Sequence, residues 1–273
     1  MSLSLNFVKM NGAGNDFVML DNRSGNLHLT EQQINLLCDR HRGIGADGLL
    51  VLEIVKNETP YRMRYYNADG IEVEMCGNGA RCFTQYLAQL EKISGQIAFQ
   101  TQAGLIQGTL QGNQVQILMS APFDLQLNKL LLLDSAQELE LHSINTGVPH
   151  AVLFVNDLEI APVVERGRKT RHHAHFAPAG TNVNFVQIKE PQLLAIRTYE
   201  RGVEDETLAC GTGVVASALI HHLLSGAPSP IFVITQGGDK LQVDFQVTKE
   251  PLQITQVALT GPADFVFSGT ISI

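Results

Sequence analysis

The sequence contains no run of about twenty apolar residues, the length a bilayer-spanning helix needs, so no transmembrane helix is expected. No basic and apolar leader precedes the first strand, which argues against secretion. Basic residues are few: 19 Lys and Arg against 27 Asp and Glu leave a net charge of −8. That balance disfavours nucleic acid or an anionic membrane as the main partner. Cysteine is sparse as well. The four present, Cys38, Cys76, Cys82 and Cys210, do not make the dense pattern of a secreted disulfide scaffold. No Cys-x-x-Cys marks a dedicated oxidoreductase. The glycines between Gly43 and Gly48 do not form a Gly-x-Gly-x-x-Gly leading into a helix, so a dinucleotide site is not indicated. What remains is an ordinary globular protein of a reducing, cytoplasmic compartment, with 273 residues and thus room for two domains with a core each.

What is present is a motif written twice. Met75-Cys76-Gly77-Asn78-Gly79-Ala80-Arg81-Cys82 is followed by a helical stretch, Ala80 to Leu90. Ala209-Cys210-Gly211-Thr212-Gly213-Val214 is followed by another, Val214 to Leu224. The two cysteines are 134 residues apart, and the same offset relates Asn11 to Asn145, Gly45–Leu49 to Ala179–Val183, and Thr101–Gly104 to Thr235–Gly238. Met119–Pro122 is echoed, with drift, by Leu259–Pro262. Matches in order near one offset outweigh the chance echoes that 24 glycines would produce. We read two homologous α/β halves related by a pseudo-dyad: residues 1–121, joined by the last strand 264–273, and residues 122–263. Such symmetry would bring Cys76 and Cys210 face to face at the junction, a usual place for a ligand site.

Along the chain, Leu3–Met10 and Phe17–Leu20 read as strands around the turn Asn11–Asp16. Asn15 either supplies an amide to a ligand or sits in a turn that needs a left-handed residue. Thr30-Glu31-Gln32-Gln33 resembles a capping box opening a helix to roughly Arg40, with Ile34, Leu37, Cys38 and His41 on one face. Strands are expected at 49–54, 61–66 and 72–75, with a hairpin turn at Asp69-Gly70, then near 97–101, 105–110 and 115–119. Ala121-Pro122-Phe123 marks the crossing between halves. The second half should carry strands at 138–144, 151–155, 182–188, 194–199, 231–235, 241–247, 254–259 and 265–272. A short helix is expected around Ile160–Glu165, followed by a solvated linker from Arg166 to His175. His172, His173 and His175 in that linker lack the partners and spacing of a zinc site, so no metal is expected. Cys38 and Cys82 read as packing residues.

A cysteine at the mouth of a helix meets unbonded backbone N–H groups and the positive end of the dipole, which favour a thiolate and an anion alike. Two such thiols suit one reaction: removal of the proton beside a carboxylate from one face and return of a proton to the other, with no cofactor. The pair must differ in protonation, and the N–H groups of Gly77-Asn78 and Gly211-Thr212 would hold the carboxylate while charge develops.

Taken together, Asn11–Phe17, Asn67-Ala68-Asp69-Gly70, Met75–Cys82, Thr181-Asn182-Val183-Asn184-Phe185 and Tyr199–Gly213 resemble the diaminopimelate epimerases over nearly the whole chain. The resemblance implies conversion of LL-2,6-diaminopimelate to the meso form without pyridoxal phosphate, for lysine and peptidoglycan synthesis. It implies Cys76 and Cys210 as the acid/base pair, and Gly77, Asn78, Gly211 and Thr212 as the carboxylate collars. Asn15, Asn67, Asn182, Glu200 and Arg201 would recognise the substrate, including its unreactive end. It also implies an α/β (α+β) fold of two pseudo-symmetric halves, each a curved, mostly antiparallel sheet wrapped around a central helix, and pairing into homodimers. Arg201 offers a bidentate fork for the distal carboxylate; Glu200-Arg201 on a bare surface would be only an ion pair.

Three positions depart from the common pattern: Gly48 stands where many relatives carry Gln, Val148 where many carry Asn, and the loop Val203–Thr207 is one residue longer. His150 is given no role. Other readings stay open. Proline racemases and hydroxyproline epimerases use similar paired cysteines, but their Asp-Arg-Ser-Pro lead into the second cysteine is missing. Phenazine-biosynthesis isomerases share the fold and usually lack the cysteine pair. A binding protein switched by a Cys76–Cys210 disulfide is the reading from another class.

Overall fold

The computed structural model describes residues 3–56, 59–134 and 137–273. The chain divides into two compact units, Met1–Ile117 with Gly261–Ile273, and Leu118–Thr260.

The first unit holds β1 (Ser4–Gly12), β2 (Asn15–Asp21), α1 (Glu31–Cys38), β3 (Gly48–Ile54), β4 (Tyr61–Asn67), β5 (Glu72–Val73), α2 (Gly77–Glu91), β6 (Gln96–Thr101), β7 (Gly104–Gln111) and β8 (Gln114–Leu118). The last strand of the chain, Asp264–Ser272 and hence β18, pairs antiparallel with β1. The strand order is β18-β1-β2-β3-β4-β6-β7-β8, with β5 beside β4. Only β2–β3 and β4–β6 are parallel, and these are the two places where a helix intervenes, as a parallel crossover requires.

The second unit repeats the plan with β9 (Phe123–Asp134), β10 (Gln137–Asn145), β11 (Pro149–Phe154), α3 (Val163–Arg171), a 3-10 turn (Ala174–Phe176), β12 (Asn182–Glu190), β13 (Leu193–Glu200), β14 (Asp205–Thr207), α4 (Gly211–Ser225), β15 (Ile231–Ile234), β16 (Lys240–Lys249) and β17 (Leu252–Pro262). Its order is β9-β10-β11-β12-β13-β15-β16-β17, with β14 beside β13 and the parallel pairs at β11–β12 and β13–β15. In each unit a mostly antiparallel sheet wraps one helix. α2 and α4 are both 15 residues long and start 134 residues apart, the offset read from the sequence. α4 is buried continuously from Val214 to His221, in keeping with a mostly apolar stretch; each Val, Leu or Ile it buries is worth about 1.5–3 kcal/mol. α2 buries Ala80, Cys82, Phe83 and Leu87 and packs Phe83 against Phe99 with ring centroids 4.7 Å apart and the rings tilted by 54°.

Local chemistry accounts for the differences from the sequence reading. The capping box at Thr30 and Gln33 is present, but α1 stops at Cys38. There the Asp39 carboxylate accepts the N–H groups of His41 and Arg42 and turns the chain, leaving His41 exposed off the helix. Cys38 and Cys82 are buried, as expected. β9 went unread because Asp124 and Asn128 take positive φ and interrupt its ladder with β10. β5 is two residues, shorter than the expected 72–75. The linker expected from Arg166 to His175 is mostly α3. Its buried stripe, Val163, Gly167 and Thr170, is made of small residues that composition alone does not mark as a core face. His172 ends that helix and His173 caps the following turn by accepting the His175 N–H through Nδ1. No helix among the described residues is long and apolar enough to cross a membrane.

Candidate active site

In the first unit the starts of β2 and β3, the end of β4 and the start of α2 carry the residues singled out above. The hairpin between β1 and β2 turns on Ala13 and Gly14, both at positive φ, and Asn15 is already the first residue of β2. The turn therefore does not account for Asn15. Its Nδ2 donates to Asp47 Oδ2 at 2.8 Å, and a carboxylate can only accept. Its Oδ1 is thereby turned toward Cys76 Sγ, 3.5 Å away, which donates to it, and toward Asn78 Nδ2 at 3.4 Å. Cys76 is the N-cap of α2 and its sulfur accepts the Gly79 N–H at 3.5 Å. Asn78 is oriented from the other side, because the buried Arg81 guanidinium donates to its Oδ1 at 3.0 Å. The N–H groups of Gly77 and Asn78 lie in the first turn, where no carbonyl of the helix reaches them.

Asp47 and Asn15 sit on a charged cluster. Lys9, buried at 5% exposure, donates to the Gly45 carbonyl and pairs with Asp16 at 2.8 Å. Arg40 bridges Asp16 and Asp47, 2.8 Å from each. Burial alone would raise the Asp16 pKa, but the hydrogen bonds from Arg40 and Lys9 outweigh it and hold the carboxyl below its usual range. Asp16 is therefore a structural anion that fixes the base of Asn15.

The second unit builds a different collar on the same plan. Cys210 is the N-cap of α4, and its sulfur lies 3.6 Å from Thr212 Oγ1. Thr212 Oγ1 is 2.9 Å from His150 Nε2, and its carbonyl accepts from Thr146 Oγ1 at 2.9 Å. Asn184 Nδ2 donates to the Ala151 carbonyl at 2.9 Å and lies 3.1 Å from His150 Nδ1, while its Oδ1 accepts from Thr198. Nδ1 of His150 is thus the acceptor, and its proton sits on Nε2 and is donated to Thr212. Burial first, and the Arg201 charge second, push His150 down to about 3, so the ring is neutral. The Thr212 hydroxyl accepts that N–H and keeps its own proton, which it can donate to Cys210 Sγ. Cys76 meets an amide acceptor and a backbone donor, Asn15 Oδ1 and the Gly79 N–H, whereas Cys210 meets the Thr212 hydroxyl, so the two thiols have unlike surroundings, as a thiol/thiolate pair needs.

The residues expected to recognise the substrate are held by contacts within each unit. Asn67 closes β4; its Oδ1 accepts from Tyr65 Oη at 2.9 Å, and its carbonyl accepts the Gly70 N–H. Asn182 begins β12. Its Oδ1 accepts the Arg201 N–H at 2.8 Å and its Nδ2 donates to the Pro149 carbonyl, so it sets where Arg201 leaves β13. Arg201 Nη1 reaches the Ala179 carbonyl, and Glu200 Oε2 accepts from Thr207 Oγ1 at 2.8 Å. The longer loop is clasped through Glu204, which has positive φ, takes the Gly202 N–H and the Tyr199 hydroxyl, and pairs with Arg171 at 3.1 Å.

Sequence reasoning missed Asp47, Asn184 and His150. One signal for His150 was present: the 134-residue offset pairs it with Asp16, the residue beside Asn15. Asp47 and Asn184 carried none, because their work is to orient other side chains.

The profile of the diaminopimelate epimerase family matches residues 7–123 and 142–266. The chain is 40% identical over 268 residues to a diaminopimelate epimerase of Chlorobaculum tepidum, covering 97% of this chain and all of the relative. It is 37% identical over 280 residues to that of Aquifex aeolicus, covering 98% of each. Among solved structures, a hydroxyproline epimerase from Agrobacterium vitis superposes with a TM-score of 0.71 at 14% identity, covering 99% of this chain and 93% of that one. A phenazine biosynthesis protein of the PhzF family from Bacillus anthracis superposes with a TM-score of 0.73 at 15% identity, covering 99% and 100%. At such identities these last two share the fold alone. The full-length relatives and the family profile, on a chain with a cysteine capping each of two matched helices, place this protein in the diaminopimelate epimerase family.

Proposed function

We propose that the chain is a diaminopimelate epimerase, an isomerase that interconverts LL- and meso-2,6-diaminopimelate for lysine and peptidoglycan synthesis with no cofactor. The observation that carries the reading is the pair of N-cap cysteines with unlike hydrogen-bond surroundings. Cys210, supplied with a hydroxyl donor by Thr212, is the base that removes the α-proton. Cys76, whose thiol donates to Asn15 Oδ1, is the acid that delivers a proton to the opposite face. The first-turn N–H groups of Gly77-Asn78 and Gly211-Thr212 hold the α-carboxylate as negative charge develops on it. Asn15, Asn67, Asn182, Glu200 and Arg201 bind the rest of the substrate, with Arg201 and Asn67 at the distal carboxylate and Glu200 at an ammonium group. A reducing cytoplasm keeps both thiols free. The active form is a homodimer, for which the exposed run Phe265, Val266 and Phe267 on β18 offers an apolar surface.

The test is solvent exchange on LL-diaminopimelate in heavy water with no cofactor added, followed by NMR and chiral analysis. Deuterium should enter the α-position as meso product appears. Exchange seen only with proline or hydroxyproline would move the chain to the neighbouring racemases, and no exchange with any amino acid would leave the redox-switched binding reading. Light scattering tests the dimer.

A further inference from the structure

Gly48 lies where β3 begins, opposite Asn67 on β4 and next to Phe17 on β2. A Cβ added at Gly48 would meet the Tyr66 carbonyl oxygen at 2.6 Å and Tyr65 Cε2 at 2.7 Å. The space a side chain would take at position 48 is therefore filled from the neighbouring strand, by the ring of Tyr65. That ring is buried, and it meets Phe17 edge-on with centroids 6.0 Å apart. Its packing sets where the hydroxyl goes: 2.9 Å from Asn67 Oδ1.

We propose that Tyr65 is a substrate-positioning residue: seated in the gap at Gly48, its hydroxyl fixes the amide of Asn67 so that Nδ2 is presented as a donor to a carboxylate of the ligand. An asparagine amide presents either an oxygen, suited to an ammonium group, or an NH2, suited to a carboxylate. A phenol donates more readily than it accepts, so donation to Oδ1 selects the second. The ring is held on one side by Phe17 and on the other by β3 backbone without a side chain, so the choice is made before the ligand arrives. Asn67 then needs no reorientation on binding. The assignment rests on the epimerase reading, in which Asn67 serves the unreactive end of diaminopimelate.

The experiment compares wild type, Tyr65→Phe, Asn67→Ala and the double variant in steady-state epimerisation of LL-diaminopimelate, with thermal melts alongside. Tyr65→Phe keeps the ring and its packing, so a purely structural role for Tyr65 would move nothing. The expected result is a KM about five- to tenfold higher, the range for one lost hydrogen bond, with kcat changed less than twofold, since binding shared by ground and transition states is what is lost. In the Asn67→Ala background the same change should have no further effect. Gly48→Ala, which displaces the ring, should raise KM at least as much. A KM for Tyr65→Phe within twofold of wild type, or effects of Tyr65→Phe and Asn67→Ala that simply add, would overturn the assignment while leaving the epimerase reading intact. A wild type that turns over no diaminopimelate overturns both.

Discussion

His150 donates to Thr212 across 2.9 Å, and the same Thr212 oxygen lies 3.6 Å from Cys210 Sγ, which links the ring to the thiol through one hydroxyl. The direction is set two residues away: Asn184 is committed to the Ala151 carbonyl and to His150 Nδ1, which leaves the ring proton on Nε2. The hydroxyl of Thr212 accepts from the ring and has its own proton to offer the sulfur.

Thr212→Val keeps the volume and removes that donor. The thiolate of Cys210 loses a hydrogen bond that stabilises its charged form, so its titration moves to higher pH. The rising limb of kcat/KM against pH should shift upward, with the rate near neutrality falling about 10- to 100-fold, the lower part of the range for a disturbed acid–base group. Thr212→Ser should restore both the limb and most of the rate. An unshifted limb in the Val variant would remove Thr212 from the proton-transfer machinery and leave it a collar residue only.

His150 carries a stability signature of its own. Its folded pKa is about 3, depressed mainly by burial, against about 6.5 in an unfolded chain. The unfolded state therefore binds the proton first as pH falls. The stability tied to neutral His150 is complete above about pH 6.5 and is lost progressively down to the folded value, at a slope approaching about 1.4 kcal/mol per pH unit. His150→Gln, whose amide can still donate to Thr212, has nothing to titrate. Urea midpoints between pH 6.5 and 4.5 should fall more steeply for wild type than for this variant; parallel curves would mean that the ring protonates in place.

Much of this candidate site's framework was legible before the structure. Two Cys-Gly-x-Gly stretches, 134 residues apart, mark the two cysteines that cap the two matched helices, because a helix start depends on local backbone geometry, which sequence spacing records. The same is true of the hairpins that Asn11 and Asn145 close by accepting from Gly14 and Gly147. What distinguishes the two thiols was not legible. It lies in the rotation of side-chain amides, Asn15 turned by Asp47 and Asn184 turned by a carbonyl on a neighbouring strand, and these are tertiary contacts between residues more than thirty apart in sequence. β9 escaped for a related reason, since two positive-φ residues break the alternation that marks a strand.

The doubled motif hides an inequality at its second glycine. A Cβ on Gly213 would come within 2.3 Å of Asn184 Oδ1, whereas one on Gly79 would meet Leu50 and Cys76 at ordinary contact distances of 3.4–3.5 Å. Gly79→Ala should fold with a stability equal to wild type or higher by up to about 1 kcal/mol, the helix propensity gained over glycine. Gly213→Ala must displace Asn184, and with it the tautomer of His150. Its melting temperature should drop and exchange of the substrate α-proton should collapse. Equal tolerance at both positions in thermal melts would show that the Asn184 network yields freely.

Asp16 offers a test of the scaffold under Asn15. Lys9 is buried, with Asp16 as its ion-pair partner, and removing one member of a buried pair leaves the other charge uncompensated at a cost of about 3 kcal/mol or more. Asp16→Asn should show this in urea unfolding at pH 7. The difference from wild type should shrink as pH falls through the depressed titration range of Asp16, because protonation then removes the same charge from wild type. A cost that persists unchanged into strong acid would assign the loss to packing instead.

The last test separates the thiols themselves. Cys76→Ala and Cys210→Ala should each cut epimerisation by about 10³-fold or more, within the range expected for losing a positioned acid or base, with circular dichroism unchanged. Their residual chemistry should differ. With Cys210 as the resting base, Cys76→Ala can still remove the α-proton and return one to the same face, so in heavy water the LL isomer should gain deuterium without turning into meso product. Cys210→Ala has lost the base, and its substrate should keep both its configuration and its proton. If instead Cys210→Ala exchanges and Cys76→Ala does not, the roles of the thiols are reversed, and the Thr212 hydroxyl serves a protonated Cys210 as an acceptor.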